Sequence, residues 1–286
     1  MWVVSARDNY QADISKIRPL IMALADAEVI EEKTSNPENY SRLGVADPKD
    51  GGNGYEIALF GPDSSHSVIL GDVAQGDFRY ARISGESPGY LIDQNPDIPQ
   101  AAGNWLLLDI IDLDASDIRS VSITHADGEN IVVGKSHQEQ TDFVVHDIPE
   151  GRELTYATVG NGIPAALSKL ELQDVRKSID AISSTTTIYG TWNGLQITAA
   201  IVVEDEGLWV AFSAAAIAVG TVAEPANKAT SESENHGTAV SEAIVPKSLA
   251  DEINAHLSGW QYQIPEHKMN LLMRRWDDIL QASDSE

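Results

Sequence analysis

The chain reads as an α+β protein of two similar lobes, an internal repeat in which each lobe is an antiparallel sheet with a helix packed on one face. Three observations predict this. Apolar residues recur at helical spacing in only a few stretches. Most other apolar residues sit in short alternating runs closed by Gly, Asn-Gly or Asp-Gly, the mark of antiparallel hairpins. The order of segments near the N-terminus also recurs in the second half of the chain.

The first lobe, residues 1–119, opens on Trp2-Val3-Val4, a strand-like triplet. A polar turn leads into "ADISKIRPLIMALADAEVIEE". Ile17, Leu20, Ile21, Leu24 and Ala27 place one apolar stripe along a helix expected over about 14–31. Asp13 or Ser15 caps its start, and Pro19 is tolerable because it falls in the first turns. Strands follow at "YEIALFG", "SVILG", "RYARIS" and "GYLID", and then "IPQAAGNWLLLDIIDL" closes the lobe.

The second lobe, residues 120–286, opens on "SVSITHADGENIVVGK", a hairpin over Val121–Lys135 turned at Asp127-Gly128. Phe143-Val144-Val145 then takes the place of Trp2-Val3-Val4. Ile163, Ala166, Leu167 and Leu170 repeat the helical stripe, again with an early proline, Pro164, and predict a helix over 163–177 in which Val175 matches Val29. "TTTIYGTWNGLQITAAIVVEDEGLWVAFSA" predicts a meander turned at Asn193-Gly194 and Glu206-Gly207. Residues 219–242 carry no apolar periodicity and read as a flexible insertion. "PKSLADEINAHLSG" predicts a short helix with Ser248 as N-cap and Gly259 past its end. Gly89-Tyr90 corresponds to Gly259-Trp260, Ile98-Pro99 to Ile264-Pro265, and Trp105 to Trp276. Because only the second lobe has an opening hairpin, the strand through Trp2 is expected at a sheet edge, and the missing hairpin is expected upstream of Met1.

Composition narrows the function classes. The 286 residues carry a formal charge of −25 and no strongly basic cluster, which disfavours nucleic acid and anionic lipid surfaces. There is no cysteine, hence no disulfide, thiol catalysis or thiolate metal site. No apolar run is long enough to span a bilayer.

The motifs point away from chemistry. Gly160-x-Gly162-x-x-Ala165, with Asp180 further on, has the order of a dinucleotide fingerprint. The hairpin downstream and Pro164 at the helix start favour an ordinary glycine turn. Asp112, Asp114, Ser116 and Asp117 have calcium-loop spacing, but Asp117 and Ile123 stand where such a loop needs Gly and Glu, which favours capping aspartates. Of the seven histidines (His66, His125, His137, His146, His236, His256 and His267) none forms a helical zinc pair; His125, His137 and His146 cluster around the predicted hairpin and read as surface residues. The six tryptophans read as core. No catalytic, cofactor-binding or metal-binding residue is assigned, and no cofactor is expected.

The string "ADISKIRPLIMALADAEVIEEKTSNPENYSRLGVADP", with the tryptophan before it, resembles the domain-of-unknown-function family 4340. So do "NWLLLDIIDLDASDIRSVSI" and the closing "LSGWQYQIPEHKMNLLMRRWDDIL". The resemblance implies an extracytoplasmic, periplasmic-side domain held at the inner membrane by an N-terminal anchor that this chain does not contain. It also implies protein partners among ABC-transporter permease or auxiliary subunits. It supplies no catalytic residues. The expected function is therefore a non-enzymatic binding or scaffolding component of a transport system. The alternative is a small-molecule or cation-binding module using a cleft between the lobes, and a hydrolase comes third.

Overall fold

The computed structural model describes residues 1–61, 65–204, 207–217 and 247–282. The elements in chain order are β1 (Val3–Val4), β2 (Tyr10–Gln11), α1 (Ile14–Asp26), β3 (Val29–Thr34), α2 (Tyr40–Leu43), β4 (Tyr55–Phe60), β5 (Ser65–Val73), β6 (Arg79–Ile83), β7 (Gly89–Ile92), β8 (Asp109–Ile111), β9 (Ile118–His125), β10 (Asn130–Gly134), β11 (Val144–His146), β12 (Leu170–Glu171), β13 (Asp174–Lys177), β14 (Thr185–Thr191), β15 (Leu195–Glu204), β16 (Gly207–Ala216), α3 (Lys247–Leu257), β17 (Trp260–Gln263), α4 (Glu266–Leu272) and α5 (Trp276–Ile279). The protein is thus mixed helix and sheet, with mostly antiparallel sheets and few helices. Two compact units divide the chain: Met1–Trp2 with Gln11–Leu106, and Val3–Tyr10 with Leu107–Glu286.

In the first unit, β3–β7 form an antiparallel sheet in the order β3-β7-β6-β5-β4. Successive residues of a strand point to opposite faces, and β5 uses both. Leu70 turns toward α1 and packs with Leu20, Ala81, Ile92 and Ile98. Ile69 turns the other way, onto Tyr40 and Val45. The helix forms where its stripe predicts, with the Asp13 carboxylate accepting from Ser15 N at 2.8 Å. It ends at Asp26 rather than near 31, because Ala27 is already extended and Val29 starts β3. The segment after β3 is drawn onto the sheet so closely that glycine is required. A Cβ on Gly71 would lie 2.2 Å from the Leu43 carbonyl oxygen, and Gly44 turns away at φ 68°.

In the second unit, eight antiparallel strands run in the order β11-β10-β9-β14-β15-β16-β17-β13. The Asp127-Gly128 hairpin forms as its turn chemistry predicts, with Gly128 at φ 91°. The buried face carries Ile118, Val121, Ile123, Ile131, Val133, Tyr189, Leu195, Ile197 and Ile201. Five of these strands, β13–β17, are wired in the order β13-β17-β16-β15-β14, which is the order of β3–β7 in the first unit.

Three expectations need correction. The segment 163–177 is not a helix. It is a 3-10 turn at Pro164–Leu167 followed by β12 and β13. Lys169 sits at φ 45°, a left-handed conformation that no helix continues through. The strand after Trp2 does not edge the first sheet; Val3–Val4 pairs with β2 in a separate two-stranded ribbon. Ser248 lies within α3, which starts at Lys247, rather than before it. The 219–242 insertion and the Asp205-Glu206 part of the second meander turn lie outside the described residues.

Candidate functional site

His125 corrects its reading as a surface residue: it is buried opposite Thr185 in the β9–β14 ladder. Its Nδ1 lies 2.9 Å from Thr185 Oγ1 and its Nε2 lies 3.0 Å from the Arg274 carbonyl, so both ring nitrogens are taken. His137 and His146 are exposed, as are His66, His256 and His267, while His236 lies outside the described residues. Among the described residues no group of three metal-binding side chains comes together.

Gly160 and Gly162 stand in a four-residue 3-10 turn, not at the head of a helix. Gly160 is there for packing: a Cβ would lie 3.1 Å from Val145 Cγ2. The Asn161 side chain accepts from Phe143 N and donates to Asp142, tying this turn to the start of β11. Two of the aspartates at calcium-loop spacing bind main-chain N–H groups, and the segment runs through a turn into β9 rather than into a helix that they could cap. Asp112 accepts from Lys169 N and Asp114 from Ser116 N. That hydrogen bond holds the Asp114 carboxyl below its ordinary range.

The cations are similarly occupied. Lys268 donates to the carbonyls of Ala165 and Ser168 at 2.8 and 2.7 Å, satisfying the end of the turn that replaces the predicted helix. Burial pushes its ammonium pKa down. Arg176 makes a two-pronged pair with Glu204, both bonds 2.8 Å, and lies 4.1 Å from the centre of the Trp209 ring. In the first unit, the buried Arg82 donates to the carbonyls of Val45 and Glu86 and stacks on Tyr40. Glu56 accepts from Ser67, Lys49 and Ser84, which hold its carboxyl low.

What remains open is main chain at the sheet edges. An edge strand presents a row of unpaired N–H and C=O groups, and folds commonly cover or cap them. β13 is capped. The Asp8 carboxylate accepts from Lys177 N at 3.1 Å, Asp174 accepts from Val175 N, and Arg7 pairs with Asp174 at 2.5 Å. Tyr10 secures that segment, edge-on to Trp260 with ring centres 4.9 Å apart. β17 pairs with β16 at Val210 only, and further along β16 the Asn254 side chain of α3 both accepts from Ala214 N and donates to Ala214 O. β11 is three residues long. β4, the other edge of the first sheet, exposes three of its six residues, Phe60 among them at 83%, and carries Lys49 on Glu56 and Gln100 on Tyr55.

β3 differs. It has one strand neighbour, β7, and five of its six residues are exposed. Val29 is 59% and Ile30 53% exposed, and Glu28, Glu31 and Glu32 are exposed beside them. Sequence reasoning assigned this stretch to the end of a helix and missed it as a site.

No helix among the described residues is long and apolar enough to cross a membrane. Neither the curated proteins nor the solved structures gave a match. A family model described as "Domain of unknown function (DUF4340)" matches residues 2–187, a span that holds the whole β3–β7 sheet and runs into β14. The closing stretch Leu257–Leu280 lies beyond that match. Since the match takes in more than half of the sequence, the chain belongs to the DUF4340 family.

Proposed function

We propose that this chain is a non-enzymatic scaffolding domain. In this reading it belongs to a membrane-anchored, extracytoplasmic protein and binds permease or auxiliary subunits of an ABC-type transport system. The observation that carries the reading is the contrast within the fold. His125, Lys268, Arg82 and Arg176 are held by internal bonds, while a six-residue edge strand with apolar side chains faces outward. Groups held that way are positioned to stabilise a structure rather than to exchange protons or attack a substrate. An open edge with exposed Val and Ile suits protein contact.

The two-lobe duplication is part of this reading. It is supported by the shared strand order of β3–β7 and β13–β17 and by equivalent pairings, Val29 with Ile92 and Val175 with Tyr262. A scaffold built from two copies of one sheet presents two related surfaces to its partners.

Affinity purification of the tagged, membrane-anchored protein from its native membranes, in mild detergent, tests the proposal. Transport subunits identified by mass spectrometry at near-stoichiometric yield are expected. Repeated recovery of the protein alone would overturn it.

A further inference from the structure

We propose that the β3 edge accepts an extended, basic segment of a partner protein, which adds to the first sheet as a sixth strand. The inference deepens the scaffold reading and rests on it.

The first argument is the treatment of equivalent edges. β3 and β13 hold the same place in the strand order, at the end of the sheet and beside the last strand of the meander. At β13 the chain supplies its own cover, the segment Val3–Tyr10. That segment brings a carboxylate to an outward N–H, a cation to Asp174 and an aromatic ring to Trp260. At β3 no segment among the described residues does this. The fold therefore carries both an occupied and a vacant version of one edge, and the occupied version is covered through side chains: a carboxylate on an outward N–H, a cation and an aromatic ring.

The second argument is charge. Glu28, Glu31 and Glu32 line the edge, and the single cation of the strand, Lys33, is paired with Glu31. Register shifts interrupt β3 between Val29 and Glu31 and between Glu32 and Thr34, while Glu31 and Glu32 face opposite sides of the sheet. An incoming strand with Lys or Arg at alternate positions therefore meets one of these two carboxylates and lays its intervening apolar residues along the other face. A second copy of this chain is a poor occupant, since its own β3 would set carboxylates against carboxylates and the whole chain carries −25. Strand addition gives affinity through main-chain bonds and specificity through alternate side chains.

The probe is a synthetic peptide of alternating Lys and Val, used with the full chain. Its comparators are an alternating Glu/Val peptide and a Lys/Val peptide of the same charge interrupted by prolines. Binding is read by fluorescence anisotropy and the site by amide hydrogen exchange. The basic peptide should bind at least roughly tenfold more tightly than either comparator and slow exchange across residues 29–34. The double variant Glu31→Lys/Glu32→Lys, altered only at exposed positions, should lose about tenfold in affinity with an unchanged melting temperature. Equal binding of the proline-interrupted peptide, protection elsewhere, or unchanged affinity in the double variant would overturn the proposal. So would a dimer of the chain that the double variant dissolves. The wider reading is separated by purifying the double variant from membranes. If it still recovers the transport subunits, the edge assignment fails and the scaffold stands; if the wild type recovers none, the scaffold fails.

Discussion

The guanidinium of Arg82 lies 4.6 Å from the centre of the Tyr40 ring, and together they lock the segment after β3 onto the far face of the first sheet. Arg82 is 5% exposed and donates to the carbonyls of Val45 and Glu86. Replacing it with Met keeps the bulk but removes the donors and the stack. The variant should lose about 3 kcal/mol, because carbonyl groups are left without partners and a cation–ring contact goes. Faster hydrogen exchange in β5, β6 and residues 40–46, with the second unit unchanged, is the expected readout.

Glycine substitutions should separate tight packing from open turns. Gly71→Ala drives a Cβ into the Leu43 carbonyl, whereas Gly103→Ala meets nothing within 4 Å and needs no left-handed backbone. The first should cost roughly 3 kcal/mol or prevent folding of the first unit. The second should change stability by less than about 0.5 kcal/mol. Urea midpoints of the two variants give the comparison.

His125 makes a similar test in the second unit. In His125→Phe the Arg274 carbonyl and the Thr185 hydroxyl both lose a buried partner. A loss of about 2–3 kcal/mol is expected. Thr185→Val removes only the hydroxyl's side of the arrangement and should cost less. Chemical denaturation of both, and of the double variant, measures the coupling.

Alkaline pH should destabilise the second unit through its buried phenols. Burial pushes the phenols of Tyr10, Tyr189 and Tyr262 above their ordinary value. A raised folded-state pKa means the neutral phenol is favoured by the fold. Its contribution is complete below the unfolded value of about 10 and is lost as the pH climbs toward the folded one. Stability should therefore fall above about pH 10, with tyrosinate absorbance rising together with unfolding rather than before it. Tyr262→Phe should flatten that fall. Absorbance that titrates fully while the protein stays folded would refute the account.

How much of this was legible beforehand depends on whether a residue's neighbours are local. The stripe through Ile17, Leu20 and Leu24, the cap at Asp13 and the turn at Asp127-Gly128 are signals written within a few residues, and α1 and the β9–β10 hairpin form where they point. The stripe of Ile163, Ala166, Leu167 and Leu170 failed because a 3-10 turn followed by a strand buries the same positions. The competing signal was Leu170 and Leu172, both buried on either side of exposed Glu171, a strand alternation. The exposed edge was not legible at all. Nothing in "VIEEKT" distinguishes a bare edge from a central strand; β3 is an edge because β7 returns to one side of it and no strand among the described residues follows on the other.

That return has a consequence in time. Val29 can pair only when Ile92 has arrived, and Val175 only when Tyr262 has, whereas β4 to β7 and β14 to β16 zip up between sequence neighbours. Closing a long loop is entropically slow, so the first strand synthesised in each meander is the last to find its place. On a ribosome, α1 and β3 emerge well ahead of the strand that must hold them. The edge is therefore set only after its sheet is finished, and a chain still being made has no rigid template to offer a stray strand.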